Sequence, residues 1–194
     1  MRSALVSALG DLAETAISLL NSVDKSMRHA ASFAQTAVRL ESIAAALKIE
    51  AERMLYDSAA SAILTTDGAQ PGGDRAHGPA DDHGDSWVTR LQVASAEYAP
   101  IAGCSTGSAQ YKISASVAAS RHYRGLLAAL ARAEVTPTHL AKFKLLVDDA
   151  ALSNEQKEEV CTRVMEHCTW NLAKFTNHVR AAIRLILARD GIIF

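Results

Sequence analysis

Apolar residues recur every three or four positions over the first part of this 194-residue chain, and no stretch shows sustained alternation of apolar and polar side chains. A spacing of three to four places side chains on one face of an α-helix, whereas a strand needs a spacing of two. The sequence therefore predicts an all-α protein. The recurring residues are Leu5, Leu9, Leu12, Ala16, Leu19, Val23, Met27, Ala30, Ala34, Ala37, Leu40, Ala44, Leu47, Ala51 and Met54.

This apolar stripe is interrupted at Asn21 and Ser22, which precede Asp24 and Lys25 as helix caps do. A helix running on from Asp24 to Ile63 would be about 60 Å long at about 1.5 Å per residue. That length exceeds the width of a small domain, so part of the stripe needs a further packing partner. Two partners remain open: another helix of the same chain, in a hairpin, or the same helices of a second copy, in a homodimer.

The composition restricts the class of protein. Hydrophobic residues make up 49% of the chain and charged residues 21%, which is too apolar for a disordered segment. The 20 basic residues nearly balance the 21 acidic ones, giving a net charge of −1. This balance argues against indiscriminate coating of nucleic acid but leaves room for local patches of one sign.

We expect neither a targeting signal nor a membrane segment. The first apolar stretch is broken by Ser7 and followed by Gly10, whereas a signal peptide needs an unbroken run of about 7–15 apolar residues. No stretch approaches the roughly 20 apolar residues of a membrane helix. Because Cys104, Cys161 and Cys168 form no close pair, the chain is expected to be a reduced, cytoplasmic protein.

One composition shift divides the chain. Residues 65–85 read TTDGAQPGGDRAHGPADDHGD, a Gly/Pro-rich acidic stretch without apolar periodicity, which predicts a flexible loop. Its His77 and His83 alternate with aspartates and could suggest a metal site, but a solvated loop is the simpler interpretation. The predicted organisation is a long helical scaffold over 1–64, this loop over 65–85, and a helical bundle over 86–194.

Capping residues mark the helices of the bundle. Ser105 is placed to cap the helix after Gly103, and Thr136 precedes a proline at the first helical position. Residues 153–156 form a capping box, and Gly191 follows the last helix. The predicted helices cover about 87–101, 106–120, 121–133, 154–169 and 171–189, with one more beginning at Pro137.

Residues 94–116 favour a helix-turn-helix unit, which needs a small residue at the helix crossing and a glycine in the turn. Ala99 and Gly103 meet both requirements. Pro100 and Lys112 depart from the usual pattern, so simple packing of two helices remains the alternative. The second helix would present short polar or cationic side chains to a DNA major groove. These side chains are Ser105, Thr106, Ser108, Gln110, Tyr111 and Lys112.

Charge is unevenly distributed along the chain. Basic residues dominate from 106 to 147, and the final helix carries no acid before Asp190. This separation is typical of a phosphate-binding face, although charged residues also coat ordinary exposed helices. The cations expected to hold DNA phosphates are Arg121, Arg124, Arg132, Lys142 and Lys144. The final helix adds Lys174, Arg180, Arg184 and Arg189.

Four segments carry a family resemblance: Gly-Cys-Ser at 103–105, YRGLLAAL at 123–130, AEV at 133–135 and TPTHL at 136–140. With Leu152-Ser153 and a basic final helix, residues from about 93 to 187 resemble a helical domain of actinobacteria and their phages that commonly precedes an HNH endonuclease module. The same region is similar to the helix-turn-helix of ParB-type partition proteins. That similarity implies that Ser105 and Thr106 begin a recognition helix. Glu134 and Leu140 replace the Gly and Ala usual in the family.

The resemblance implies a nuclease module that this sequence lacks. An HNH site needs a general-base histidine and metal ligands on a ββα unit, and only five residues follow Arg189. We therefore expect no catalysis by this chain alone and no cofactor, although it stays open that the chain is a fragment of a longer nuclease.

Cys161 and Cys168, with His167 and His178 nearby in the sequence, could suggest a zinc site. The two cysteines lie about 10 Å apart along a predicted helix, which is too far for both to bind one ion. We therefore interpret the cysteines as buried small residues rather than zinc ligands.

Two hypotheses from different classes follow from the sequence. The first is a module that binds double-stranded DNA and forms a homodimer through its N-terminal helices. The second is a helical protein-interaction module whose alanine stripe binds another helix and whose basic face is merely solvated.

Overall fold

The structure, a computed structural model, describes residues 7, 10, 11, 13–15, 17, 18, 27–67, 84–166 and 171–191. Every regular element in these ranges is α-helical, which confirms the all-α prediction. The break at Asn21 and Ser22 and loop residues 68–83 lie outside the described residues. The helices are α1 (Met27–Asp67), α2 (Gly84–Ala102), α3 (Thr106–His122), α4 (Arg124–Ala131), α5 (Pro137–Asp149), α6 (Asn154–Met165) and α7 (Leu172–Arg189).

The predicted caps form where helices begin. The Ser105 hydroxyl accepts the Ser108 N–H at 3.2 Å at the start of α3. At the start of α6, Ser153 and Gln156 exchange hydrogen bonds of 2.8 and 3.3 Å, which is the predicted capping box. A further cap, which the sequence did not predict, forms before α7, where the Asn171 side chain accepts the Lys174 N–H at 3.0 Å. Each bond satisfies a backbone donor that has no partner within its own helix.

Helix α5 begins with Thr136 as its cap and Pro137 at its first position, as predicted. His139 takes the place usually held by Glu or Gln in a capping box, because its Nδ1 accepts the Thr136 N–H at 3.3 Å. The same imidazole is only 2% exposed and packs edge-on against Phe175, with ring centroids 4.9 Å apart. His139 therefore caps one helix and packs against another.

Contacts divide the chain into two units, named here for their place in the sequence. The central unit is Ile49–Ser120, and the flanking unit combines Met1–Lys48 with Arg121–Phe194. In the flanking unit, α7 packs on α5 and α6, and α4 packs on the same two helices. None of the helices in the described ranges is both long and apolar enough to span a bilayer.

The buried face of α1 differs from the predicted stripe. Ala30, Ala34, Ala37, Ala44 and Ala51 are exposed, and the two leucines of the stripe that lie in α1, Leu40 and Leu47, are half-buried. The buried positions lie about one residue, or roughly 100°, around the helix. They are Thr36, Ser42, Ile43, Ala46, Glu52, Tyr56 and Ala59.

Internal hydrogen bonds explain how α1 buries polar residues. Thr36 and Ser42 donate to the backbone carbonyls of Ser32 and Val38, at 3.0 and 2.9 Å. A hydroxyl satisfied within its own helix costs little to bury. Within a single chain, therefore, the alanines of the predicted stripe are not the residues that α1 buries.

Candidate nucleic-acid interface

Helices α2 and α3 are joined by three residues, Gly103 to Ser105. Gly103 has φ +59°, and two hydrogen bonds close the end of α2: Cys104 N–H to Ala99 at 3.0 Å and Gly103 N–H to Pro100 at 3.4 Å. This pair of bonds is a Schellman motif, in which glycine adopts the left-handed conformation at little cost. Helix α2 thus ends two residues after Pro100, and the chain turns sharply into α3.

One face of α3 is anchored in the core of the central unit. Ala109, Ile113 and Val117 are 0 to 2% exposed and belong to a cluster with residues of α1 and α2. Their partners include Tyr56, Ala59, Ala94, Tyr98 and Ala99. Burial of this face fixes which side of α3 points outward, since side chains three and four residues apart share a face.

A buried carboxylate ties the three helices of the central unit together. Glu52 of α1 is 3% exposed, and it accepts hydrogen bonds from the Tyr98 hydroxyl of α2 and the Ser116 hydroxyl of α3. Burial, and secondarily the hydrogen bond to Glu52, raise the pKa of Tyr98. The two hydroxyls compensate for the removal of the carboxylate from water. Sequence reasoning missed this network, since a lone glutamate in a helix ordinarily faces solvent.

The predicted contact residues at the start of α3 are all at least partly accessible. Ser105 and Thr106 are exposed, and Tyr111 is 70% exposed. The other three, Ser108, Gln110 and Lys112, are half-buried. The buried position that Lys112 would have occupied in the usual motif is taken by the adjacent Ile113.

The predicted phosphate-binding cations belong to the flanking unit rather than to the central one. Arg121 and Arg124 are exposed, whereas Lys142 and Lys144 are half-buried. Arg132 is exposed but forms a two-bond ion pair with Glu134, with both N···O distances 2.7 Å. That pairing holds the pKa of the Glu134 carboxyl below its ordinary value and reduces the positive charge that Arg132 offers to a ligand.

Two of these cations share a cleft of about 460 Å³ with residues of α6. Arg121 and Arg124 line it together with Gly125. His122 and Glu158 also line it, and the His122 Nδ1 lies 2.8 Å from a Glu158 carboxylate oxygen. The structure thus brings Arg121 and Arg124 onto one cleft, and places Arg132, Lys142 and Lys144 elsewhere in the flanking unit.

The basic residues of α7 are all exposed, but Arg189 is engaged. Its guanidinium contacts Glu159 and Asp190, each at 2.9 Å, and holds the pKa of both carboxyls below their ordinary values. Arg189 therefore links α6 to the end of α7 and is occupied by acids of its own chain.

Cys161 is buried beside the start of α4, as expected for a small core residue. Burial raises the pKa of its thiol, although backbone N–H groups of Leu126 and Gly125 oppose the shift. The sulfur therefore serves as a neutral acceptor for the first turn of α4. Of the other residues considered as zinc ligands, His178 is exposed on α7. His167 and Cys168 lie outside the described residues, as do His77 and His83 of the loop.

Within the ranges the structure describes, no group of three or more His, Cys, Asp or Glu side chains is arranged to hold a metal ion. A comparison of the chain with protein-family models, curated proteins and solved structures finds no match. The exposed start of α3 and the cationic cleft are the two features of the described residues that bear on function.

Proposed function

We propose that this protein is a DNA-binding helical module in which α3 approaches duplex DNA and exposed cations hold the phosphate backbone. The observation that carries the proposal is the exposed, polar first turn of α3, which follows a tight glycine turn and is fixed by a buried opposite face. Ser105, Thr106 and Tyr111 are the most accessible of its candidate contacts. Side chains of this kind reach base edges and phosphates in a major groove.

Rigidity of α3 supports this role. A recognition element must hold its side chains in register with the bases, and sites on packed helices are positioned better than sites on loops. The Glu52 network and the Ala109–Ile113–Val117 face fix α3 at several points along its length. The resemblance to ParB-type helix-turn-helix regions and to domains that precede HNH modules points to the same function.

Fluorescence anisotropy with a labelled DNA duplex tests the proposal. We expect binding that weakens as salt rises, and weaker binding after Lys112→Gln, Arg121→Gln or Arg124→Gln, because each removes a cation offered to phosphate. Arg39→Gln is the matched control, since Arg39 is an exposed cation on α1 outside the proposed contacts. Equal affinity for all four variants and the parent would contradict the proposal.

The alternative is a helical protein-interaction module, and the exposed alanine face of α1 favours it. Ala34, Ala37 and Ala44 are exposed on a helix long enough to meet a second copy in a homodimer. Light scattering with and without DNA separates the two functions. The interaction function predicts a stable oligomer whose size does not change when DNA is added. Ala37→Glu or Ala44→Glu should dissociate this oligomer, because glutamate preserves helix propensity but blocks the close approach of a second helix.

A further inference from the structure

The cleft of the flanking unit has features of a binding site in its own right. Its volume of about 460 Å³ lies in the range of small-ligand pockets, about 300–1,000 Å³. It is built where α3 ends, α4 begins and α6 passes, so its walls come from helices rather than loops. A site on packed helices holds its side chains in fixed positions.

The balance of charge on this cleft favours an anion. Arg121 and Arg124 contribute two permanently charged guanidinium groups against one carboxylate, that of Glu158. Glu158 is engaged by the His122 imidazole at 2.8 Å. Arg124 forms no ion pair with any acidic residue that the structure describes, so its guanidinium is available to a ligand.

The remaining residues that line the cleft add no further negative charge. Gly125 lets α4 approach α6 closely, because a Cβ at this position would lie 3.0 Å from the Met165 Cγ. The Cys161 thiol also lines the cleft, and burial raises its pKa, which keeps the sulfur uncharged. An entering anion thus meets two cations, one carboxylate engaged by His122, and otherwise uncharged side chains.

We propose that this cleft binds a phosphate group through Arg121 and Arg124. A phosphate offers more acceptor oxygens than a carboxylate, so it can satisfy planar guanidinium forks from two helices at once. The phosphate has two possible sources, a DNA backbone or a free phosphate compound. The inference rests on the proposed function only if the source is DNA.

Nuclear magnetic resonance of the full chain tests the proposal. Inorganic pyrophosphate and, separately, a DNA duplex are titrated while the Gly125 amide signal is followed. We expect a saturable shift of this signal with at least one probe. The affinity should fall about tenfold in Arg124→Gln, the loss of one charge-assisted hydrogen bond, and stay unchanged in Arg39→Gln. The amide spectrum of each variant also reports whether it is folded.

The outcomes separate this inference from the proposed function. A Gly125 shift with pyrophosphate identifies a free-phosphate site, and a shift with the duplex alone identifies the DNA backbone as the source. Absence of a saturable shift with both probes, or equal affinity in Arg124→Gln, overturns the cleft proposal. DNA binding that still depends on Lys112 would then leave the proposed function standing. Pyrophosphate binding without any DNA binding would support the cleft proposal and contradict the proposed DNA-binding function.

Discussion

The core of the central unit surrounds a carboxylate, whereas the core of the flanking unit buries no acidic side chain among the described residues and is built mainly on large apolar ones. Four alanines stand among the eight buried apolar residues of the central cluster, with Glu52 bonded to Tyr98 and Ser116. The flanking unit instead buries the full rings of Phe143 and Phe175. Large apolar side chains contribute stability in proportion to the area they bury. A hydrogen-bonded carboxylate contributes less stability but restricts how its neighbours can pack.

This difference assigns different tasks to the two units. The flanking unit supplies stability through burial, and the central unit positions α3 through hydrogen bonds as well as packing. Changes of side-chain size should therefore matter most in the flanking unit, and removal of a single polar atom should matter most in the central unit. The following predictions test that contrast, beginning with the largest effect.

Phe143→Ala should lower the free energy of unfolding by about 3–5 kcal/mol, because it removes a fully buried ring and leaves a cavity. Phe143 is 0% exposed and packs edge-on against Tyr123, with centroids 5.1 Å apart. Urea unfolding followed by circular dichroism measures the loss. A cost under about 0.5 kcal/mol, the range of ordinary surface changes, would show that apolar packing does not dominate the flanking unit.

Tyr98→Phe should cost about 2 kcal/mol, because it deprives the buried Glu52 carboxylate of one of its two hydroxyl donors. Tyr123→Phe is the matched change in the flanking unit. The Tyr123 hydroxyl makes no side-chain hydrogen bond within the described part of the chain, so this variant should cost less. Urea unfolding of both variants gives the comparison. Equal costs would contradict the importance assigned to the Glu52 network.

Alkaline pH should destabilise the protein through its buried tyrosines. Burial, and secondarily the charge of Asp148, raise the pKa of Tyr123 to about 12, whereas an unfolded tyrosine titrates near pH 10. Between these values only the unfolded chain has lost the proton, so stability is complete below about pH 10 and falls as pH rises. The loss is about 1.4 kcal/mol per pH unit for each such tyrosine.

Tyr123→Phe should reduce the loss of unfolding free energy per pH unit above about pH 10 by the contribution of one tyrosine. The contribution of Tyr98, whose pKa is also raised, should remain. Unfolding free energies measured in steps from about pH 9 to pH 12 test this. Parallel pH profiles for the variant and the parent above pH 10 would show that Tyr123 does not retain its proton in the folded state.

Ala151→Gly should raise stability by about 0.5–1 kcal/mol, because a left-handed residue with a Cβ is strained. Ala151 is exposed with φ +48°, at the turn after α5. Ala133 has φ +55° but is 7% exposed, so Ala133→Gly also loses a buried methyl and should gain less. Thermal unfolding of Ala151→Gly and Ala133→Gly measures which variant gains more stability. Destabilisation by Ala151→Gly would contradict the strain assigned to this turn.

Features with a local cause were predictable from the sequence. The all-helical fold follows from apolar spacing, and the helix starts at Ser105, Thr136 and Ser153 follow from capping chemistry that acts over three residues. Helix ends were less predictable. Gly103 and Gly191 signal left-handed turns, whereas the alanines at 133 and 151 adopt the same conformation and carry no such signal.

Features set by tertiary contacts were not predictable. The buried face of α1 depends on what packs against it, and the two hydroxyls that satisfy Glu52 lie 46 and 64 residues further along the chain. The cleft likewise combines Arg121 and Arg124 with Glu158 of a different helix. Sequence reasoning selected both arginines on charge alone and had no basis for pairing His122 with Glu158.

The salt dependence of DNA affinity tests the central claim most directly. The logarithm of the binding constant for a duplex, plotted against the logarithm of salt concentration, has a slope of about −0.9 per phosphate neutralised. We predict a clearly negative slope for the parent chain, made shallower by about two to three units when Lys112, Arg121 and Arg124 are all replaced by Gln. No binding at low salt, or the same slope for the parent and the triple variant, would contradict the account.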